Sequence, residues 1–153
     1  MSEVEVPREE IPSEEIEASK GLVAYFVQAP VEAYNLLLKI TNELKTTIEN
    51  TDQYTEYEKR HIMYSVGKLF DIVDAITDLR FYDLYNKYLS EPEIVKSLLI
   101  KISLLANVYV KVLNRAYDWQ ELARDIDAIA SALTLVLRDT LEFASAEVKK
   151  CSK

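Results

Sequence analysis

The stretch LARDIDAIASALTLVLRDTLEF, residues 122–143, decides the fold of this chain. Its apolar positions recur at strictly alternating steps of three and four, which is the spacing of one helix face and of a coiled-coil seam. A helix with such a seam buries it against other helices. The sequence therefore predicts a long C-terminal helix inside a bundle, with a seam made of Leu122, Ile126, Ile129, Leu133, Val136, Thr140 and Phe143.

Two segments upstream carry apolar stripes of the same period. The first lies in residues 30–49 and consists of Tyr34, Leu37, Thr41, Leu44 and Ile48. The second lies in residues 55–80 and consists of Ile62, Val66, Leu69, Val73 and Ile76. Further helices are predicted over residues 13–28, residues 81–89 and residues 91–116.

Three capping boxes mark predicted helix starts. In this motif the side chain of the residue before the helix accepts a hydrogen bond from the backbone N–H of the residue three positions later. The carboxylate of that later residue accepts a hydrogen bond from the backbone N–H of the first residue. The three pairs are Thr55 with Glu58, Ser90 with Glu93, and Asp118 with Glu121.

The composition agrees with an all-helical chain. Only 2 Gly and 4 Pro occur in 153 residues, too few for the turns of a β-sandwich or barrel, and no segment alternates with a period of two. Apolar residues make up 49% of the chain, enough for a core. We expect an all-α bundle of four long helices plus one or two shorter ones, forming a single domain over residues 13–150.

The negative charge is concentrated at the N-terminus. Residues 1–17 hold seven acids and one base, a sum of −6, whereas the whole chain sums to −8. Residues 1–12 also contain two prolines and few large apolar side chains, so they are predicted to be a disordered acidic tail. Such a tail either keeps the protein soluble, docks on a basic partner, or shields the protein's own basic surface.

Several classes of site are excluded by the residue counts. One His and one Cys cannot make a His/Cys zinc cluster, an internal disulfide or a CxxC motif, and 2 Gly cannot make a Gly-rich phosphate loop. No cofactor is predicted. The longest apolar run is too short to span a membrane, and the acidic N-terminus is unlike a secretory signal, so we expect a cytoplasmic protein. Abundant Ile, Lys, Glu and Tyr are typical of a thermophile.

The fifth predicted helix, residues 91–116, is the candidate partner-binding element. From Ile94 to Tyr117 it has four bases and no acid. At 100° per residue the bases span an arc of about 140°, and an apolar row lies inside that arc. The row is Ile100, Leu104 and Val108, and the bases are Lys96, Lys101, Lys111 and Arg115. This face is either a buried core face with snorkelling lysines or an interface with a protein partner or a second copy.

An acidic row on the third predicted helix allows a second interpretation. Asp71, Asp74 and Asp78 lie at i, i+3 and i+7, and such a row either is a solvated face, binds a hard cation as in metal-dependent all-α hydrolases, or meets the bases of the fifth helix. The metal interpretation is weak because the possible second acid pair, Asp125 and Asp127, lies at i and i+2 and points to different faces.

An aromatic patch allows a third interpretation. Its rings either pack on the bundle end or stack on unpaired nucleic-acid bases, next to a positive charge. The candidates for stacking are Arg80, Tyr82, Tyr85 and Tyr88.

No constellation for acid–base or nucleophilic catalysis is visible in the sequence. The Glu58-x-x-His61 spacing resembles half of a di-iron site, but Glu58 is accounted for by the Thr55 capping box, and Cys151 has no base partner. The sequence favours a non-enzymatic interaction subunit of a multiprotein complex. The alternatives are an accessory nucleic-acid-binding subunit and a metal-dependent hydrolase.

Overall fold

The computed structural model describes residues 30–151. The helix predicted over residues 13–28 and the tail predicted over residues 1–12 lie outside this range. The described part contains four long helices, one short helix and no strand, which confirms the predicted all-α class. In chain order they are α1 (Pro30–Asn50), α2 (Glu56–Leu79), α3 (Asp83–Leu89), α4 (Pro92–Leu113) and α5 (Trp119–Cys151). None of these described helices combines the length and apolarity that a membrane span requires.

The four long helices form a square in which α2 packs along α5 and α1 along α4, with α1–α2 and α4–α5 as the other sides. Short connections at residues 51–55 and residues 114–118 make α1–α2 and α4–α5 antiparallel neighbours. Trp119 lies beside His61, and Asp127 beside Lys68, so α2 and α5 run parallel. Consequently α2 and α4, which are consecutive long helices, lie on a diagonal.

The short helix α3 makes this diagonal possible, because it carries the chain across one end of the bundle. The buried Tyr34 near the start of α1 donates its hydroxyl to the Leu89 carbonyl at the end of α3, at 2.9 Å. Burial raises the pKa of the Tyr34 phenol, so the hydroxyl remains a donor well above neutral pH. This contact places the starts of α1 and α4 at the same end of the bundle.

The predicted stripes of α1 and α2 are confirmed, since every one of their ten side chains is buried. On α5 the first six seam residues are buried, but Phe143 is 56% exposed and Ala144 takes its place in the core. A straight α-helix drifts about 20° per heptad from a strict 3.5-residue seam, so after three heptads the buried position moves on by one residue.

The predicted capping boxes meet three different outcomes. The box at Thr55 and Glu58 is complete, with both reciprocal hydrogen bonds formed. Asp118 caps α5 by accepting the backbone N–H groups of Gln120 and Glu121. The box predicted at Ser90 is wrong. Ser90 ends α3 instead, because its hydroxyl and its backbone N–H both donate to the Asn86 carbonyl, and Glu91 precedes α4.

The C-terminal end of α4 differs from the predicted boundary at residue 116. The helix ends at Leu113, and Arg115 adopts the left-handed conformation with φ 55°. The backbone N–H of Ala116 donates to the Lys111 carbonyl, and that of Arg115 donates to the Val112 carbonyl. This is a Schellman motif, in which the left-handed position is usually glycine. An arginine there gives the sequence no sign of the helix end.

Replacing Arg115 by glycine is expected to stabilise the fold. A side chain in the left-handed region costs roughly 1 kcal/mol, whereas the exposed ion pair from Arg115 to Asp52 contributes little. We expect Arg115→Gly to raise the free energy of unfolding by about 0.5–1 kcal/mol, measured by urea denaturation. Arg115→Ala, which removes the ion pair but keeps Cβ, is the control, and a gain of the same size in that variant contradicts the explanation.

Candidate functional site

The outer face of α4 exposes large apolar side chains along a helix that has no acid after its first turn. Ile100 is 50% exposed and Leu104 is 47% exposed, as the predicted apolar row requires. The third member, Val108, is only 4% exposed and belongs to the core, because it lies on the side of α4 that turns towards α5. Val110, which the row did not include, is 51% exposed.

Val108 nevertheless contributes to the surface as the floor of a groove between α4 and α5. This groove has a volume of about 300 Å³. Val108 and Ile129 supply buried apolar surface, and Leu104 forms a wall from the α4 side. Lys111 lies on the rim. The groove is therefore an apolar depression that has the positive Lys111 and the negative Asp125 among its lining residues, and it is continuous with the exposed part of the row.

The four predicted bases are distributed unequally around this face. Lys96 and Lys111 are exposed and Lys101 is half-buried, and none of these three nitrogens has a carboxylate within 4 Å among the side chains that the structure describes. Arg115 is different. It follows the end of α4 and its guanidinium pairs with Asp52 at 3.0 Å. The positive charge of the face therefore comes from the three lysines.

A tyrosine–aspartate pair borders the groove, and the sequence interpretation missed it. The Tyr117 hydroxyl donates to Asp125 Oδ2, while Lys111 Nζ lies 5.2 Å from the centre of the Tyr117 ring. Desolvation and the hydrogen bond to Asp125 raise the pKa of the Tyr117 phenol. The eight-residue separation crosses a loop, so no helical period brought the two residues together in the sequence.

The acidic row of α2 is not assembled into a metal site. Asp71, Asp74 and Asp78 are all exposed, and only Asp71 lines the larger groove, of about 550 Å³, between α2 and α5. In that groove Asp127 lies 3.6 Å from Lys68 Nζ. No group of three or more His, Cys, Asp or Glu side chains within the described residues is placed to hold a metal ion. Since α2 and α4 are diagonal, the row does not meet the bases of α4 in the same chain.

The aromatic candidates for nucleic-acid stacking are split between surface and core. Tyr82 is 60% exposed and meets Tyr85 edge to face, while Arg80 donates to the Asn35 side chain and covers the Phe81 ring at 4.9 Å. Tyr88 is buried, with its ring stacked on Phe143 at 6.5 Å, so it offers no free face to a base. Packing on the bundle end therefore explains Tyr88, as the alternative interpretation expected.

His61 belongs to an aromatic cluster. Its ring lies 4.6 Å from that of Tyr57 and 5.3 Å from that of Trp119, at the end of the bundle where α5 begins. Glu58 is engaged with the backbone N–H of Thr55, in agreement with its predicted role as a cap. The spacing of Tyr57 and His61 at i and i+4 could have indicated this cluster, but its Trp119 member could not be foreseen.

The α4 face and its groove are the candidate site on geometry and charge alone. No protein-family model, curated protein or solved structure has a significant match to this chain.

The raised pKa of Tyr117 predicts a loss of stability in alkali. A phenol whose pKa is higher in the folded than in the unfolded state, where it is about 10, stabilises the fold below pH 10 and loses that effect as the pH rises further. We expect the thermal midpoint to fall between pH 9 and about pH 12, and Tyr117→Phe to reduce this fall. Tyr64→Phe, at a 71% exposed position, is the matched control, and an equal reduction in both variants contradicts the prediction.

Proposed function

We propose that this protein is a non-enzymatic interaction subunit, with an accessory or scaffold role in a multiprotein complex, and that it docks its partner through the outer face of α4. The observation that carries the proposal is the pair Ile100 and Leu104, half-exposed beside an apolar groove and flanked by lysines without described acidic partners. The partner is either another protein or a second copy of this chain.

The apolar side chains of the face supply affinity in this proposal. Burying a Leu or Ile side chain fully is worth about 1.5–3 kcal/mol, so a partner that covers the exposed half of each gains about 1 kcal/mol per residue. A partner side chain that enters the groove onto Val108 and Ile129 adds to this gain. Interfaces of this kind have an apolar centre and a polar rim.

Lys96, Lys101 and Lys111 supply orientation and association rate. Exposed charges around an apolar patch attract a partner of opposite sign over about 8 Å at physiological salt and disfavour the wrong orientation. The partner surface that fits the α4 face is therefore apolar with acidic flanks.

The proposal also covers the cellular compartment and the type of source organism. A single cysteine suits a reducing compartment, so we place the complex in the cytoplasm. The composition, rich in Ile, Lys, Glu and Tyr, supports a thermophilic source.

Replacing Leu104 by glutamate tests the interaction role. Because Leu104 is half-exposed, we expect the fold to lose no more than about 0.5 kcal/mol, as for other surface substitutions, while the assembly is lost. Light scattering measures the mass of the purified chain, and affinity purification from the native host measures which proteins travel with it. An unchanged mass together with an unchanged set of bound proteins overturns the proposal.

Leu141→Glu is the matched control for this experiment. Leu141 is 38% exposed and lies about 18 Å along α5 from the groove residue Ile129, so it undergoes the same chemical change away from the face. We expect this variant to keep the assembly. Loss of assembly in both variants assigns the effect to added negative charge in general.

Nucleic-acid accessory binding is the second candidate, favoured by the lysines of α4, which have no acidic partner among the described residues, and by the exposed rings of Phe81 and Tyr82 beside Arg80. Contacts between lysines and the phosphates of a nucleic acid weaken as the salt concentration rises, so binding should fall steeply between about 50 and 200 mM salt. We expect a labelled single strand to be retarded in a gel at low salt, and Lys96→Glu to reduce the shift. No retardation at low salt rejects this candidate.

A further inference from the structure

The α4 face has a second possible occupant of the right charge within the same chain. Residues 1–17 carry a net charge of −6, with glutamates distributed along their whole length. The lysines at positions 96, 101 and 111 have no carboxylate within 4 Å among the described side chains. In a protein with a net charge of −8, a base-only segment of 24 residues is the surface to which such a sequence is drawn.

We propose that the acidic residues 1–17 bind the outer face of α4 in their own chain and compete there with the partner. The proposal rests on the proposed function, since it assigns to the partner the same acidic and apolar chemistry. Alternation of glutamates with Val4, Val6, Ile11 and Ile16 gives this segment apolar side chains that can cover Ile100 and Leu104.

The fold places the attachment point of this segment next to α4. The chain enters the described structure at Pro30, the first residue of α1. The hydrogen bond from Tyr34 to the Leu89 carbonyl shows that this end of α1 lies at the end of the bundle where α4 begins. Since α1 and α4 are neighbours and run parallel, the route from Pro30 along α4 crosses none of the other long helices that the structure describes.

The length of the connection also suffices. The predicted helix over residues 13–28 would span about 24 Å, and the twelve residues before it reach at most about 40 Å more. Along α4, Lys111 lies 19 residues, or about 29 Å, from Pro92 at the start of the helix. Every base of the face is therefore within reach of the glutamates. Because the segment belongs to the same molecule, it meets the face at a high effective concentration and displaces a weak partner more readily than a free peptide would.

A spin label in the acidic segment tests the contact directly in the full-length chain. Cys151→Ser removes the only cysteine, and Ser13→Cys places a nitroxide among the glutamates without changing any charge. We expect the amide resonances of residues 96–111 to lose most of their intensity at low salt and to regain it in about 1 M salt, where the Debye length is ~3 Å. Amides of residues 64–78 on the diagonal helix α2 are the internal control.

Two sets of substitutions, one in the acidic segment and one on α4, test which charges make the contact. Replacing the seven glutamates of residues 1–17 by glutamine, or replacing Lys96 and Lys111 by glutamate, should each abolish the broadening. An unchanged α4 spectrum beside the label overturns the proposal, and so does equal broadening of α2 and α4. Mixing labelled chains with isotope-enriched unlabelled chains detects contact between molecules. If α4 of the unlabelled chains is broadened in this mixture as strongly as α4 of the labelled chains, the result overturns the proposal in favour of a second copy.

Failure of the self-contact can be distinguished from failure of the interaction role, because the Leu104→Glu assembly test does not use the spin label. Loss of assembly in Leu104→Glu with no broadening of α4 leaves the interaction role in place and removes the self-contact. If Leu104→Glu loses its assembly and the label also broadens α4, the variant with seven glutamines should bind its partner or its second copy more tightly than the wild type.

Discussion

The packing of α2 along α5 is the constraint on which the rest of the structure depends. Both helices contribute long apolar stripes, and they run side by side in the same direction from the aromatic cluster of His61 and Trp119 to the far end of the bundle. Two parallel helices in one chain require a connection that returns to the first end of the bundle, and α4, reached through α3, provides it. Once α2 and α5 are paired in this way, α4 must pack between α1 and α5, and its remaining side faces solvent.

The site on α4 is a consequence of that position. A helix of the bundle can turn only part of its circumference to its neighbours, and α4 carries apolar residues around more of it than α1 and α5 can cover. Leu98, Leu105 and Val112 are buried, whereas Ile100, Leu104 and Val110 are left half-exposed. Surface of this kind, adjoining a groove and rimmed by lysines, is a physical reason to expect a binding partner.

The fold separates the two charged rows of the sequence, the acids of α2 and the lysines of α4. The acids of α2 and the lysines of α4 lie on diagonal helices, so the fold keeps them apart instead of neutralising one with the other. Five of the described bases outside α4 form ion pairs with acids, such as Lys45 with Glu49 and Lys87 with Glu147. The lysines of α4 consequently give this face a positive potential within an acidic protein.

The sequence by itself determined the helical class, the described stripes of α1 and α2, the cap at Thr55 and the absence of acids from most of α4, because these depend on neighbours within one or two helical turns. Tertiary structure decided the rest. The burial of Val108, the exposure of Phe143, the end of α4 at Arg115 and the meeting of Tyr117 with Asp125 all depend on which helices become neighbours. That choice is made by long-range packing through the α3 crossover, which no local period in the chain encodes.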